Sequence, residues 1–193
     1  MNSILIFIII NILFFDSTEP KTMSKFTYFA YGSNMLMSRI HLNNPSAVRI
    51  GIGKLNEYRL DFSRYSKKWD GSVATVVPDH TEYVWGVLWQ LNKTDMANLD
   101  KQEGVGHGVY KVFNATVTFD EKNETCRCYM LVEQPKKENP IPPERRPSKA
   151  YLRTMINGAN ESNIPLDYVQ FLNDIPNNGK DGPKELHSLK LTE

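Results

Sequence analysis

Two short stretches of the chain carry residue types that could do chemistry. In Leu99-Asp100-Lys101-Gln102-Glu103-Gly104-Val105-Gly106-His107-Gly108-Val109-Tyr110, three glycines within five residues allow close backbone approach beside one carboxylate, Glu103. Helical spacing through Met96 and Leu99 and a stop at Gly104 put Glu103 at a helix C-terminus. The negative end of the helix dipole raises a carboxyl pKa there, and burial raises it further. A carboxyl tuned upward is a usable general acid/base near neutral pH, whereas a solvated Glu at a helix end is inert. Asp100 reads as a surface or capping group, and His107, between glycines, as an exposed loop residue.

The second stretch is Gly32-Ser33-Asn34, between the aromatic run Phe26–Tyr31 and the helix-like Met35-Leu36-Met37. A strand that stops at a tight polar turn before a helix points several N–H groups at one spot, beside the positive end of a dipole. Gly32 permits close approach or an unusual φ, and Ser33 or Asn34 can cap the helix. The turn is thus either a cradle for a carboxylate or phosphate, or an ordinary capped connection.

The elements that must hold these stretches follow from periodicity. Strands are expected over 26–31, 48–62, 73–77, 83–91, 109–119 and 125–132, with a loop over 63–71 and a turn at Pro78-Asp79-His80. Helices are expected over 36–42, from about 94 to 103, over 149–159 and over 165–172. Five prolines within 135–147 make an extended connection. The length of 193 residues suits one core. The reading is an α+β fold: a mixed, mostly antiparallel sheet closed towards a barrel, with flanking helices. A domain over 23–175 would follow a separate segment, 1–22, and precede a flexible tail, 176–193.

Composition narrows the function. A formal net charge of +1 with both signs interspersed argues against nucleic acid as a partner. Cys126 and Cys128 would share one strand face, where a bridge is strained, so both read as free thiols. Four scattered His and no Cys-x-x-Cys spacing give no metal site. Apart from Asn11, Ile4 to Phe15 is apolar; twelve residues are too few to span a bilayer but suit a signal-peptide core. That segment and four glycosylation sequons, at Asn92, Asn114, Asn123 and Asn160, point to the secretory pathway. A start at Met23 would instead give a cytoplasmic form.

The two stretches, with Ile40-His41-Leu42-Asn43-Asn44-Pro45-Ser46 and Val84-Trp85-Gly86-Val87, resemble the gamma-glutamylcyclotransferase family, over about Phe26 to Leu172. Met35 stands where that family usually has Leu, a tolerated exchange. The resemblance implies a cofactor-free enzyme in which the α-amino group of a γ-glutamyl unit attacks its own γ-carbonyl, releasing 5-oxoproline and an amino acid. It assigns the acid/base role to Glu103 and substrate binding to Tyr28, Phe29, Ala30, Tyr31, Gly32, Ser33 and Asn34. Tyr129 and Tyr151 match further pocket positions. The partner implied is a small γ-glutamyl compound, and family members often form homodimers. Two alternatives stay open: cyclisation of γ-glutamylamines such as γ-glutamyl-lysine, and a secreted, non-catalytic binder of a small carboxylate.

Overall fold

A computed structural model describes residues 24–183. The apolar N-terminal segment and the alternative start at Met23 lie outside the described residues. Five strands form a closed barrel in the order β1-β3-β2-β4-β5. These are β1 (Lys25–Ala30), β2 (Val48–Ser66), β3 (Gly71–Asn92), β4 (Tyr110–Phe119) and β5 (Lys122–Leu131). Every pairing is antiparallel except β1 with β5, which meet in parallel at Tyr28 and Arg127. The mixed, closed sheet expected from the sequence is what forms.

Two sequence expectations change. The expected strands over 73–77 and 83–91 are one strand, β3, paired along β2. Tyr58 pairs with Pro78 while Asn56 pairs with Tyr83, so the turn signal at Pro78-Asp79-His80 is an outward excursion within a strand. Proline is tolerated at such an irregularity because no ladder bond is needed from it. The expected loop over 63–71 is also much shorter. The strands run on to Ser66 and from Gly71, leaving a tight hairpin in which Trp69 is buried.

Helices close the barrel. A 3-10 turn, Ser33–Met35, follows β1, and α1 (Met37–Ile40) follows it. α2 (Met96–Gln102) links β3 to β4, while α3 (Lys149–Glu161) and α4 (Leu166–Asp174) pack after the proline-rich connection. α3 lies directly on the 3-10 turn: a Cβ at Gly158 would sit 2.4 Å from the Leu36 nitrogen. Glycine there lets helix and turn approach more closely than any other residue would. The start of the segment read as a tail is tied to α3: Lys149 N–H donates to the Lys180 carbonyl and Asn178 N–H to that of Pro147. Residues 184–193 lie outside the described residues. Among the described residues no helix is long and apolar enough to cross a membrane.

Candidate active site

The end of β1 carries the site because its chain leaves the barrel there. Tyr28 and Tyr31 face an inner chamber of about 40 Å³, with Gly32, Ser33, Asn34, Ala74, Glu103, Tyr110, Tyr129 and Tyr151. At roughly 10–15 Å³ per water-sized group, that is room for about three or four such groups. An outer cavity of about 260 Å³ shares Ser33, Glu103, Tyr110 and Tyr151 with it and opens towards Arg39, Trp69 and the β2–β3 hairpin. Glu103 therefore stands in the wall common to both spaces.

The carboxyl of Glu103 is held by one oxygen. Asn34 Nδ2 donates to Oε1 at 3.1 Å and Gln102 Nε2 to the same atom at 3.4 Å. No described residue hydrogen-bonds Oε2, and Glu103 lines the cavity. Glu103 follows α2 as its C-terminal cap, as expected, with Gly104 at φ 65° turning the chain. Its pKa is raised from an ordinary 4.5 to about 7. Loss of solvation is the main cause, opposed by the Arg39 charge, by the amides of Gln102 and Asn34, and by Lys68.

Asn34 is the hinge of the network, and it does not cap a helix. Its amide bonds Glu103 and the Tyr28 hydroxyl, each at 3.1 Å, and its Oδ1 accepts from Gln102 Nε2 at 3.1 Å. Its carbonyl accepts from the buried Trp89 indole at 3.1 Å, and no side chain caps the 3-10 turn or α1. The capping expected of Ser33 or Asn34 is thus replaced by a tertiary contact across the barrel. The helix expected over 36–42 is shorter for the same reason: the chain is a 3-10 turn and then one α turn.

Gly32 has φ −109°, so no unusual backbone angle requires glycine. Proximity does: a Cβ there would lie 3.0 Å from the Tyr151 hydroxyl. That hydroxyl accepts from the Ala74 N–H at 3.1 Å, and burial pushes its pKa up to about 12. Its own proton is free to donate within the chamber that it lines. Tyr110 donates to the Ala74 carbonyl at 2.8 Å, so one residue of β3 fixes two chamber hydroxyls. Tyr31 donates to the Tyr129 carbonyl at 2.6 Å, and the rings of Tyr28 and Tyr129 meet edge-on at 5.8 Å. The Tyr129 hydroxyl donates to Asp100 at 2.6 Å, while Arg127 forks onto Asp100 at 2.6 and 2.8 Å.

Of the residues singled out in the sequence, Tyr28, Tyr31, Gly32, Ser33, Asn34, Glu103, Tyr129 and Tyr151 converge on the inner chamber. Phe29 and Ala30 do not line it; both are packed against Gly86, where a Cβ would meet the Phe29 ring and the Ala30 carbonyl. His107 is exposed and lines neither space. Asp100 is partly exposed, but it caps no helix and instead anchors Tyr129. Sequence reasoning also missed Gln102, Tyr110 and Arg39. Arg39 is 4% exposed, its Nε and Nη1 have no hydrogen-bond partner among the described residues, and its guanidinium lies 5.9 Å from the centre of the Trp69 ring. Gln102 adjoins Glu103 in the chain, which was a usable signal; Tyr110 and Arg39 gave none beyond residue type.

Comparison with known proteins points the same way. Residues 83–172 match the AIG2-like family. Gamma-glutamylcyclotransferase of Bos taurus is 42% identical, with 80% of this chain and 81% of the relative aligned. The Homo sapiens protein of that name is 38% identical, over 86% of this chain and 87% of the relative. A solved structure of a gamma-glutamyl cyclotransferase superimposes with a TM-score of 0.78 at 36% identity, covering 86% of this chain and 98% of the other. Relatedness of this degree over four fifths or more of the chain means that it belongs to the gamma-glutamylcyclotransferase family.

Proposed function

We propose that the protein cyclises the γ-glutamyl unit of γ-glutamyl amino acids, releasing 5-oxoproline and a free amino acid, with Glu103 as the acid/base. The observation that carries this reading is the carboxyl of Glu103: it stands between the two spaces, is held by Oε1 alone, and is raised to about 7. The inner chamber takes one end of the glutamyl unit against the Tyr31–Asn34 turn, the rest of that unit lies at the mouth beside Glu103, and the leaving amino acid lies in the outer cavity.

The reaction needs no nucleophile from the protein. The α-nitrogen bonds to the γ-carbon of the same substrate, and the amide bond to the leaving nitrogen breaks. Holding that chain in the bent, ring-like geometry supplies most of the proximity advantage. Glu103 carries two protons in turn: one leaves the α-ammonium before attack, a second leaves the same nitrogen as the ring closes, and both end on the leaving nitrogen, which departs as an ammonium group, so the carboxylate is regenerated without water being consumed. A pKa near 7 suits both halves of that transfer. The Tyr151 proton and backbone N–H groups of the turn are the donors available to the carbonyl oxygen as negative charge develops on it.

The test is 5-oxoproline release from γ-glutamyl-alanine by wild type and Glu103→Gln. Release that falls about a thousandfold or more in a folded variant supports the assignment. Equal release by the two proteins removes Glu103 from the mechanism, and ligand binding without product in wild type replaces the enzyme reading with that of a carboxylate binder.

A further inference from the structure

The outer cavity has a charge that the cyclisation itself does not call for. Arg39, Arg64 and Lys68 all line it, and among its lining residues Glu103 is the one acid. Neighbouring acids are engaged elsewhere: Asp70 accepts from Tyr65 and Lys180, and Asp100 from Arg127. The three cations reach the cavity by different routes. Arg39 comes from α1 and is buried, with two guanidinium nitrogens unpartnered among the described residues. Burying an arginine without acceptors is unfavourable unless an anion completes it. Arg64 is the extra residue of a bulge, between the pairs Ser63–Val73 and Tyr65–Ser72, with φ 55°. A bulge re-aims its side chain, here over the cavity. Lys68 sits in the hairpin turn, next to Trp69, whose buried ring meets Tyr151 edge-on at 4.8 Å and so fixes the hairpin above the site.

Resting on the cyclotransferase reading, we infer that the outer cavity selects γ-glutamyl dipeptides whose leaving residue is itself a dicarboxylic amino acid, as in γ-glutamyl-glutamate. Arg39 takes the α-carboxylate of the leaving residue. Arg64 and Lys68 take its side-chain carboxylate and are specificity-determining residues. The same charge disfavours a cationic leaving group, which separates this protein from a cyclotransferase of γ-glutamyl-lysine or other γ-glutamylamines. Like charges in a concave, partly desolvated wall repel a cation and attract an anion more than a flat surface does.

The experiment measures kcat/KM for γ-glutamyl-glutamate, γ-glutamyl-glutamine, γ-glutamyl-lysine and γ-glutamyl-alanine, in wild type and in an Arg64→Gln, Lys68→Gln double variant. Glutamate and glutamine differ in charge at nearly constant shape, so their ratio isolates the electrostatic preference. The expected ratio in wild type is about five to ten at low salt, shrinking at high salt, with the lysine substrate slowest. In the double variant it should fall to about one. A wild-type ratio near one, a lysine substrate faster than glutamate, or a ratio that survives the double substitution overturns the inference while leaving the cyclotransferase reading intact, provided γ-glutamyl-alanine is turned over. No 5-oxoproline from any of the four overturns both.

Discussion

The inner chamber and the outer cavity share a wall but are built differently. The inner one is bounded by the ends of β1, β3 and β5, and its polar atoms are tied by hydrogen bonds to groups distant in the chain. Tyr31 bonds Tyr129, Tyr151 bonds Ala74, and Asn34 bonds Glu103. The outer one rests on α1 and the tip of a hairpin, and its cations Arg64 and Lys68 are exposed. Rigid barrel elements position reacting atoms more closely than loops can, and loops tolerate change. The contrast teaches that the two spaces answer to different demands. On the proposed reading, the inner one sets which bond is made, and the outer one sets what leaves. Substitutions inside should therefore affect all substrates alike, and substitutions outside should change their ranking.

The largest effect should come from the residue between the two spaces. With Glu103 at about 7, its carboxylate fraction falls tenfold per pH unit on the acid side, so kcat/KM should decline with a midpoint near pH 7. Stability should move in the opposite direction. The folded state binds this proton more tightly than the unfolded chain, where the carboxyl titrates near 4.5. Protonation therefore stabilises the fold; that contribution is complete below about 4.5 and is lost as pH rises through 7. Because Glu103 is partly open to the cavity, the loss is about 1–3 kcal/mol, short of the full shift. Glu103→Gln should abolish turnover yet remove this pH dependence, and so unfold later than wild type at pH 8 but not at pH 4. Denaturant melts of both proteins across this range check it. A variant less stable than wild type at pH 8 would mean that the carboxylate is well accommodated, and that the inner wall is not the desolvated environment described.

The sequence made the two ends of this network legible but not their meeting. Glu103 and Gly104 were readable because a helix end has local signals, and Gly32-Ser33-Asn34 because a strand ended abruptly there. Their juxtaposition depends on barrel closure: Asn34 and Glu103 are 69 positions apart, and Tyr31 and Tyr129 are 98 apart. No local period reports such pairings, so family resemblance supplied the link. Asn34 shows why local rules mislead at a site. An Asn before a helix is usually a cap, yet here its side chain turns inward because Tyr28, Gln102 and Glu103 offer better-buried partners. Arg64 was illegible for a second reason. Its bulge arises from a register mismatch between β2 and β3, which neither strand reveals alone. The strand break expected near Pro78 failed likewise, since a long partner strand carries β3 through it.

A smaller effect, still within the inner chamber, is expected of Tyr151→Phe. The hydroxyl accepts the Ala74 N–H, so its loss leaves a buried donor unpaired. One such group typically costs about 1–3 kcal/mol. The variant should melt earlier by that amount and lose about ten- to a hundredfold in kcat, equally for every leaving amino acid. The same fold-loss for γ-glutamyl-glutamate and γ-glutamyl-glutamine is the informative result. A loss that differs between them would show that Tyr151 discriminates among leaving groups, and the division of labour between the two spaces would fail.

The smallest effect tests how far inner rigidity extends. Asp100 lines neither space, but it accepts the Tyr129 hydroxyl at 2.6 Å and holds Arg127 through both carboxyl oxygens. Tyr129 in turn presses edge-on against Tyr28, which bonds Asn34. Asp100→Asn keeps the shape but replaces a forked, charge-assisted contact with a neutral one, a change of about 1 kcal/mol at this partly exposed position. If the tyrosines act as a pre-set wall, kcat should fall about two- to fivefold with KM little altered, because a loosened ring misplaces the glutamyl unit at the reacting geometry and not on entry. Asp100→Ala should deepen the loss, and an unchanged kcat in both would confine the pre-set wall to the residues that Asn34 and Ala74 hold directly.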